Sequence, residues 1–540
     1  MAQQTRQQRA VRVTRRDFLR TAAGTAAATA AGGLVTSPYF SPAQAGPAAT
    51  GKKDLAVGLF AEPPQFNPFY RLDIIGTIVG DNIHGKLVRV NPRTRSVEPE
   101  LAESWSQKDT LTWIIKLRQG VQWHKGFGEF TAEDVDYTWN FVLEKKTFQF
   151  ATALFPVQRV RALDRYTVEV RLKIPFGAFP LVTMEYGGMM VCKKAHEQMG
   201  PERYGREPVG AGPFELESWT RGSSLVLKKN ARYWKRGLPH LERIVYRVIP
   251  DATVRMASLI RGEIDFMSHP DAKDVPEVKA GRKGGNLVYT SIPGWNWDYM
   301  AFTFPPHISA DFPTAKSKEL RQAISYALDR ETIVKEIYFD EALVTDSPIP
   351  PGYMAYRPVP IRYPRRRDLG RARELMRRAG ISRLDLEVIT SDKEWLRRET
   401  ELAASMLNDI GIRIKIVGLD IGTFNQRWLI RKDFQALLED ISIVSPDTDS
   451  TVYWFHRTGT TSWNGWQRPG MDEILDRSRM VSNPEERTKL YHQAVDVVLE
   501  ECPFIYIAHV NNVRIHKKGL VGYDPHPQEY VVRFEQARWE

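Results

Sequence analysis

Three observations predict an α/β fold for this 540-residue chain. Short strand-like runs alternate with amphipathic helical runs along its length. One helix–glycine–strand unit is written out without interruption, and the apolar content of 42% supplies more than one hydrophobic core. Residues 55–60 form a short apolar run that suits a first buried strand. Glu62-Pro63-Pro64-Gln65-Phe66-Asn67-Pro68 cannot continue it, because three prolines remove ladder donors and force a loop. Thr131 can cap a helix whose first turn Asp134 favours, and Val135, Trp139, Val142 and Leu143 then share one face. In residues 167–172, Val168, Val170 and Leu172 alternate with Glu169 and Arg171, the pattern of a half-buried strand. Residues 225–227 and 244–249 read as further strands. Leu320, Ile324, Ala327 and Leu328 mark another helix, and Asp368 can cap one that runs through Ala372, Leu375 and Met376 to Gly380. The full unit follows: a helix over residues 394–410, Gly411 at the left-handed stop, then Ile412, Ile414 and Ile416 alternating with Arg413 and Lys415 as a strand.

The first 45 residues have a different character. Arg6, Arg9, Arg12, Arg15, Arg16 and Arg20 face one acid, Asp17. A mild Ala/Gly-rich run over residues 21–35 follows, short of the roughly 20 residues that span a bilayer. Ala43-Gln44-Ala45 then gives the small-x-small pattern of a cleavage site. Thr14-Arg15-Arg16-Asp17-Phe18-Leu19-Arg20 resembles the twin-arginine export signal, with Arg20 where lysine is usual. A basic arm for nucleic acid would explain the arginines but neither the apolar run nor the cleavage pattern. The expectation is therefore a periplasmic protein cleaved near Ala45, unlipidated because the leader holds no cysteine, with no later apolar run long enough to span a membrane.

The leader carries a net +5, so its removal takes the chain from +11 to +6. That excess is a matter of solubility and argues against a nucleic-acid partner; the short Arg365-Arg366-Arg367 cluster fits a solvated loop. Cys192 and Cys502 are the only cysteines, either a disulfide that an oxidising compartment permits or two separate buried thiols. Neither a Cys/His cluster nor His456, His509 and His516 has metal-ligand spacing, so no metal and no cofactor is expected.

Seven segments, in order, carry a resemblance. They are Leu101-Ala102-Glu103-Ser104-Trp105; Leu117-Arg118-Gln119-Gly120-Val121-Gln122-Trp123-His124; Thr131-Ala132-Glu133-Asp134-Val135; Val209-Gly210-Ala211-Gly212-Pro213-Phe214; Asn230 with Tyr233-Trp234; Gly262-Glu263-Ile264-Asp265; and the run from Leu320-Arg321 to Asp329-Arg330. Together they resemble the extracellular solute-binding proteins of family 5, which serve dipeptide, oligopeptide and nickel ABC importers. Most are fold signatures: Trp105 and Trp123 read as core aromatics, Gly210 and Gly212 as backbone permissions before a strand, Arg321, Asp329 and Arg330 as caps and ion pairs.

The resemblance implies a two-lobed periplasmic-binding-protein-like fold with a hinge and a subdomain inserted in lobe one. Lobe one would hold residues 46–86, 206–286 and 514–540, the insert 87–205 and lobe two 287–513. It implies a monomeric, non-catalytic protein that closes on a small ligand, most readily a di- or oligopeptide, and delivers it to ABC permease subunits. A non-peptide solute, opine-like or sugar, is the alternative; nickel would need a chelate or convergent imidazoles. A secreted hydrolase is the rival class, for which neither a G-x-S-x-G elbow nor an H-E-x-x-H pair is present.

Three segments are candidate ligand contacts. Glu62, Phe66 and Asn67 follow the first strand. Trp295, Asn296, Trp297 and Tyr299 stand where the chain passes between lobes, with hinge packing as the alternative. Ser442, Ser445 and Asp447 fall where peptide-binding members often carry D-Y-x-D-P, one of whose aspartates holds the ligand's ammonium group. Anchored on Pro446, both aspartate positions are serine here, and Asp440 or Asp447 is the nearest substitute. Tyr453, Trp454, Trp463 and Trp466 would suit a sugar face or core packing equally.

Overall fold

The chain is described as a computed structural model covering residues 53–70, 72–145, 153–443, 445, 447–456, 464–481 and 483–540. The leader with its cleavage pattern, Pro446 and Trp463 lie outside these residues.

Among the described residues twenty strands are interspersed with helices. The first seven are β1 (Asp54–Leu59), β2 (Val88–Val90), β3 (Val97–Pro99), β4 (Ala102–Asp109), β5 (Thr112–Leu117), β6 (Val157–Asp164) and β7 (Thr167–Leu172). Then come β8 (Phe214–Thr220), β9 (Ser224–Lys229), β10 (Arg243–Val248), β11 (Phe266–Met267) and β12 (Leu287–Pro293). The remainder are β13 (Asn296–Phe302), β14 (Ala342–Val344), β15 (Leu384–Ser391), β16 (Ile412–Leu419), β17 (Ala436–Ser442), β18 (Phe504–Lys517), β19 (Leu520–Val521) and β20 (Arg538–Trp539).

Twelve of them join in one sheet of order β16-β15-β17-β13-β18-β11-β1-β10-β9-β8, with β12 and β14 also on β18. The strand β18 organises it. Its first residues pair with β13 and β14, and its last with β12 and β11. The sheet thus has two halves, one around β1 and one around β13, and the chain crosses between them on β18 and again from β12 to β13. Each half contains parallel pairs, β1 with β10 and β15 with β16 and β17, as βα connections require. A separate antiparallel sheet, β4-β5-β7-β6, packs under helix Ala132–Lys145 around Trp123, Trp139, Val168 and Val170.

Local chemistry explains the elements. Asp73, Asp251, Ser317, Asp329, Asp368 and Asn483 each accept a backbone N–H at a helix start. Asp368 is the cap expected, and the helix it opens, Leu369–Arg378, buries Ala372, Leu375 and Met376. The 394 helix ends at Asn408, and Gly411 (φ 85°) turns the chain left-handed into β16. Gly210 and Gly212 are required by close approach: a Cβ at either would stand 1.9 or 2.6 Å from the Ile83 carbonyl oxygen.

Four expectations shift. At the 132 helix the cap is reversed: Asp134 Oδ2 accepts the Thr131 N–H at 3.0 Å, and the same carboxylate takes Trp123 Nε1 and the Lys193 N–H. Trp105 is only half-buried, being on the outer strand β4. Leu328 lies just past the helix Lys318–Ala327. Arg321 and Arg330 spend their guanidinium groups chiefly on backbone carbonyls, Arg321 on Glu501 and Thr314, Arg330 on Tyr506 and Ser325. Cys192 and Cys502 are separate buried thiols in different cores. Among the described residues no helix is long and apolar enough to cross a membrane.

Candidate ligand-binding cleft

The carboxyl ends of the parallel strands, where side chains are no longer covered by the next turn, meet the crossing between the two sheet halves. β15 ends at Ser391 and β17 at Ser442, beside the start of antiparallel β13. The C-terminal segment 526–530 is laid against this point. Pro527 O accepts the Trp295 N–H at 2.8 Å, and Asn512 Nδ2 donates to His526 O and Pro527 O at 2.9 and 2.6 Å. The Ile443 N–H donates to Trp295 O at 2.8 Å, which ties β17 to the crossing.

The segment 295–299 divides. Trp295 sits at the crossing, 2% exposed, with its ring edge-on to Tyr353 (5.1 Å) and His526 (5.4 Å). Its buried indole N–H has no acceptor among the described residues. Asn296 knits strands: its Oδ1 accepts the Val510 N–H at 2.7 Å, and its carbonyl faces His509 Nδ1. Trp297 and Tyr299 face inward. Trp297 stacks on Tyr506 at 5.0 Å and meets Trp454 at 5.4 Å; Tyr299 stacks on Phe504 at 5.4 Å. These are core aromatics of the β13 half, in the same cluster as Trp295. Trp466 is buried there too, edge-on to Phe455.

The loop after β1 is consumed by its own chain. Glu62 accepts Trp219 Nε1 at 2.8 Å and the Gly222 N–H at 3.0 Å, gripping the β8–β9 hairpin. Phe66 is fully buried against Trp219. Asn67 Oδ1 accepts the Phe69 N–H at 3.0 Å while its Nδ2 donates to Pro201 O at 3.3 Å.

The serine segment divides as well. Ser442 Oγ donates to Glu529 Oε1 at 2.5 Å. Ser445 is buried; its carbonyl accepts Tyr353 OH at 2.7 Å, and its own hydroxyl has no partner among the described residues. Asp447 accepts Arg487 Nη2 at 2.9 Å inside the core. Asp440 is held by Lys393, which also donates to Glu439 at 3.0 Å. Neither aspartate is therefore a spare anion.

Behind Asp440 lies an excess of acid. Asp298 stands opposite Asp440 on the neighbouring strand, fully buried, with Glu399 beside it and Tyr338 OH donating to Glu399 at 2.7 Å. Burial, then the neighbouring carboxylates, pushes Asp298 well up. Burial, opposed by the Tyr338 hydrogen bond, sets Glu399 at about 8. Glu439 rises to about 7, again first by burial. Among the described residues no group of His, Cys, Asp and Glu is arranged to hold a metal ion.

Residues outside the predicted set also lie near the crossing. Lys86 and Glu185 form an ion pair at 2.6 Å, both nearly buried, and Glu185 Oε2 has no partner among the described residues. Tyr353 and Tyr530 are held far from ionisation by burial first, with Glu185 among the charges acting on both. Arg95, on the turn between β2 and β3, reaches across: its Nη1 donates to Pro351 O at 2.6 Å, and its guanidinium carbon lies 5.9 Å from the Trp295 ring centroid. No local pattern marks these positions, because their meeting depends on the crossing strands.

A family model described as bacterial extracellular solute-binding proteins, family 5 Middle, matches residues 96–463. A glutathione-binding protein, GsiB, of Salmonella typhi is 26% identical over 524 residues, 92% of this chain and 95% of that one. The oligopeptide-binding protein AppA of Bacillus subtilis is 25% identical over 518 residues, 89% of this chain and 91% of its own length. The structure of AppA from Bacillus subtilis in complex with a nonapeptide superposes with a TM-score of 0.76 at 24% identity, covering 90% of this chain and 99% of that one. The seven segments, the two sheet halves sharing β18 and the match across residues 96–463 agree, and the chain belongs to the bacterial extracellular solute-binding proteins of family 5.

Proposed function

We propose that the protein captures a peptide-like solute between its two sheet halves outside the cytoplasmic membrane and delivers it to an ABC permease. The observation that carries this reading is the seam itself. Side chains from the β2–β3 turn (Arg95), the crossing (Trp295), the 350–353 loop (Tyr353) and the C-terminal segment (Glu529) converge there. Buried polar groups there, Trp295 Nε1, Ser445 Oγ and Glu185 Oε2, have no partner among the described residues. An unpaired buried polar group costs about 1–3 kcal/mol, a cost that a bound solute relieves. Relatives named for glutathione and oligopeptides support a peptide-like ligand. A solute contacting both halves stabilises their closed arrangement without any bond being made or broken.

On this reading the lobes are residues 46–86, 206–286 and 514–540 against 287–513, with 87–205 as the insert. Export follows the twin-arginine route with cleavage near Ala45, and the protein works as a monomer in the periplasm. A modified, opine-like solute is the second reading, favoured by Ser442 and Ser445 where peptide binders carry aspartate.

Calorimetric titration with dipeptides, tripeptides and glutathione tests the proposal. One-to-one binding with the solute recovered intact is expected; turnover of any member, or binding of none, contradicts it.

A further inference from the structure

The subdomain built on the sheet β4-β5-β7-β6 has its own core and borders both halves of the large sheet, and the two borders differ in chemistry. Toward the β1 half the contacts include ion pairs. Arg89 on β2 meets Asp81 at 2.7 Å, and Arg533 of the C-terminal segment meets Glu100 at 3.1 Å, all four side chains largely buried. Parting such a pair strands buried charge, so this border is a fixed one. Toward the β13 half the contacts are of another kind. Arg95 Nη1 donates to Pro351 O at 2.6 Å, the Gly177 N–H donates to Arg479 O at 3.1 Å, and Val90 and Leu181 pack into the core of that half. None of these joins opposite charges.

The Gly177 bond leads to one cluster of side chains. Arg479 lies in the last turn of helix Met471–Met480, whose Met471 and Leu475 belong to the core of the β13 half. Its guanidinium is held within that half by Asp449, Nε on Oδ1 and Nη2 on Oδ2 at 2.7 Å each, and lies over the Tyr453 ring. From across the border comes Phe155, its ring centroid 4.1 Å from the guanidinium carbon, with Phe176 at 5.9 Å. Phe155 and Phe176 meet edge-on at 5.0 Å, and both pack with the core of the four-stranded sheet. The cation is thus neutralised inside its own half. Withdrawing Phe155 strands no charge and forfeits only a cation–ring contact and one backbone hydrogen bond. A contact that holds when made, and leaves no charge unpaired when broken, suits a joint that opens and shuts.

We propose that Arg479 and Phe155 form a clasp between the four-stranded subdomain and the β13 half, and that the clasp favours the shut arrangement before any solute arrives. Part of the closing free energy then comes from the chain itself. The fraction of ligand-free molecules already shut raises the apparent affinity for any solute that binds the shut form. The inference goes beyond the solute-binding reading above, because the clasp uses side chains outside the seam and acts with the seam empty.

The test is pulsed electron-spin distance measurement on the ligand-free full chain, labelled at Gln158→Cys and Glu473→Cys. These are exposed positions on the two sides of the contact, and the native thiols are buried. The labelled wild type should show mainly one short-distance population. Phe155→Leu keeps apolar bulk but removes the ring face, and should lower the ratio of short- to long-distance molecules about fivefold. Arg479→Lys keeps a cation for Asp449 but loses the planar stacking group, and should shift the ratio the same way. Phe155→Tyr keeps the ring and should match wild type. Exchange of the Gly177 amide, read in the same proteins, should quicken wherever the distances lengthen, and melting temperatures separate opening from unfolding. Distances in Phe155→Leu that coincide with wild type, Phe155→Tyr as open as Phe155→Leu, or a wild type found mainly at long distance would each overturn the clasp. Every readout is taken without solute, so failure of the clasp leaves solute binding standing, and failure of the calorimetric titration leaves the clasp standing.

Discussion

The loop at residues 62–67 and the seam around Trp295 are built from similar residue types, aromatic and polar, and end in opposite states. In the loop every polar side chain is spent: Glu62 on Trp219 and Gly222, Asn67 on Phe69 and Pro201. At the seam Trp295 Nε1 and Ser445 Oγ are buried without partners among the described residues. A residue type marks a possible contact; tertiary neighbours decide whether its hydrogen-bonding capacity is already spent. On the proposed function, the loop serves as a brace and the seam as the receptor.

The comparison breaks most visibly at Asp447. It sits at the seam in sequence but is spent on Arg487, so it should behave as the loop does. Asp447→Ala strands a buried guanidinium and should cost about 3–5 kcal/mol, seen as a lower denaturant midpoint. Next is Glu62→Ala, which removes the acceptor of two β8–β9 hairpin donors, Trp219 Nε1 and the Gly222 N–H. A loss of about 1–3 kcal/mol in stability with unchanged solute affinity is expected; a matching loss of affinity would move the loop into the receptor. Trp295→Phe keeps an aromatic edge on Tyr353 and His526 and removes only the N–H and part of the ring. Affinity should fall about tenfold while ligand-free stability changes by less than about 1.5 kcal/mol.

The smallest effect concerns pH. Glu399, held at about 8 in the folded chain chiefly by burial, binds its proton more tightly folded than unfolded. Its contribution is fully present below the ordinary carboxylate range and is lost as pH rises toward 8. The groups facing it, Asp298, Glu439, Asp440, Lys393 and Tyr338, remain in Glu399→Gln. Melting temperatures between pH 5 and pH 9 should fall less steeply in that variant than in wild type. Parallel curves would mean that Glu399 is not the titrating group.

Much of the fold was legible because its signals are local. Asp368 caps the helix it was expected to cap, and Gly411 turns the chain into the alternating isoleucines of β16. Where local choices competed, the chain took another arrangement, as when Asp134 rather than Thr131 closed its helix start. The site was legible only in part. Trp295 was visible as a crossing residue, but its separation from Trp297, two positions on, depends on which tertiary neighbours cover each ring. The loss of two aspartates at Ser442 and Ser445 could be read, whereas the carboxylate that meets Ser442 could not, since Glu529 arrives from the C-terminal segment. Arg95 was invisible for the same reason: its partner is the Pro351 carbonyl, 256 residues away.

Native mass spectrometry of the full chain purified from its own periplasm tests solute capture most directly. The account predicts one small molecule per chain, released unchanged on unfolding. A bare chain that takes up nothing from periplasmic extract, or a released product chemically different from what was bound, would contradict it.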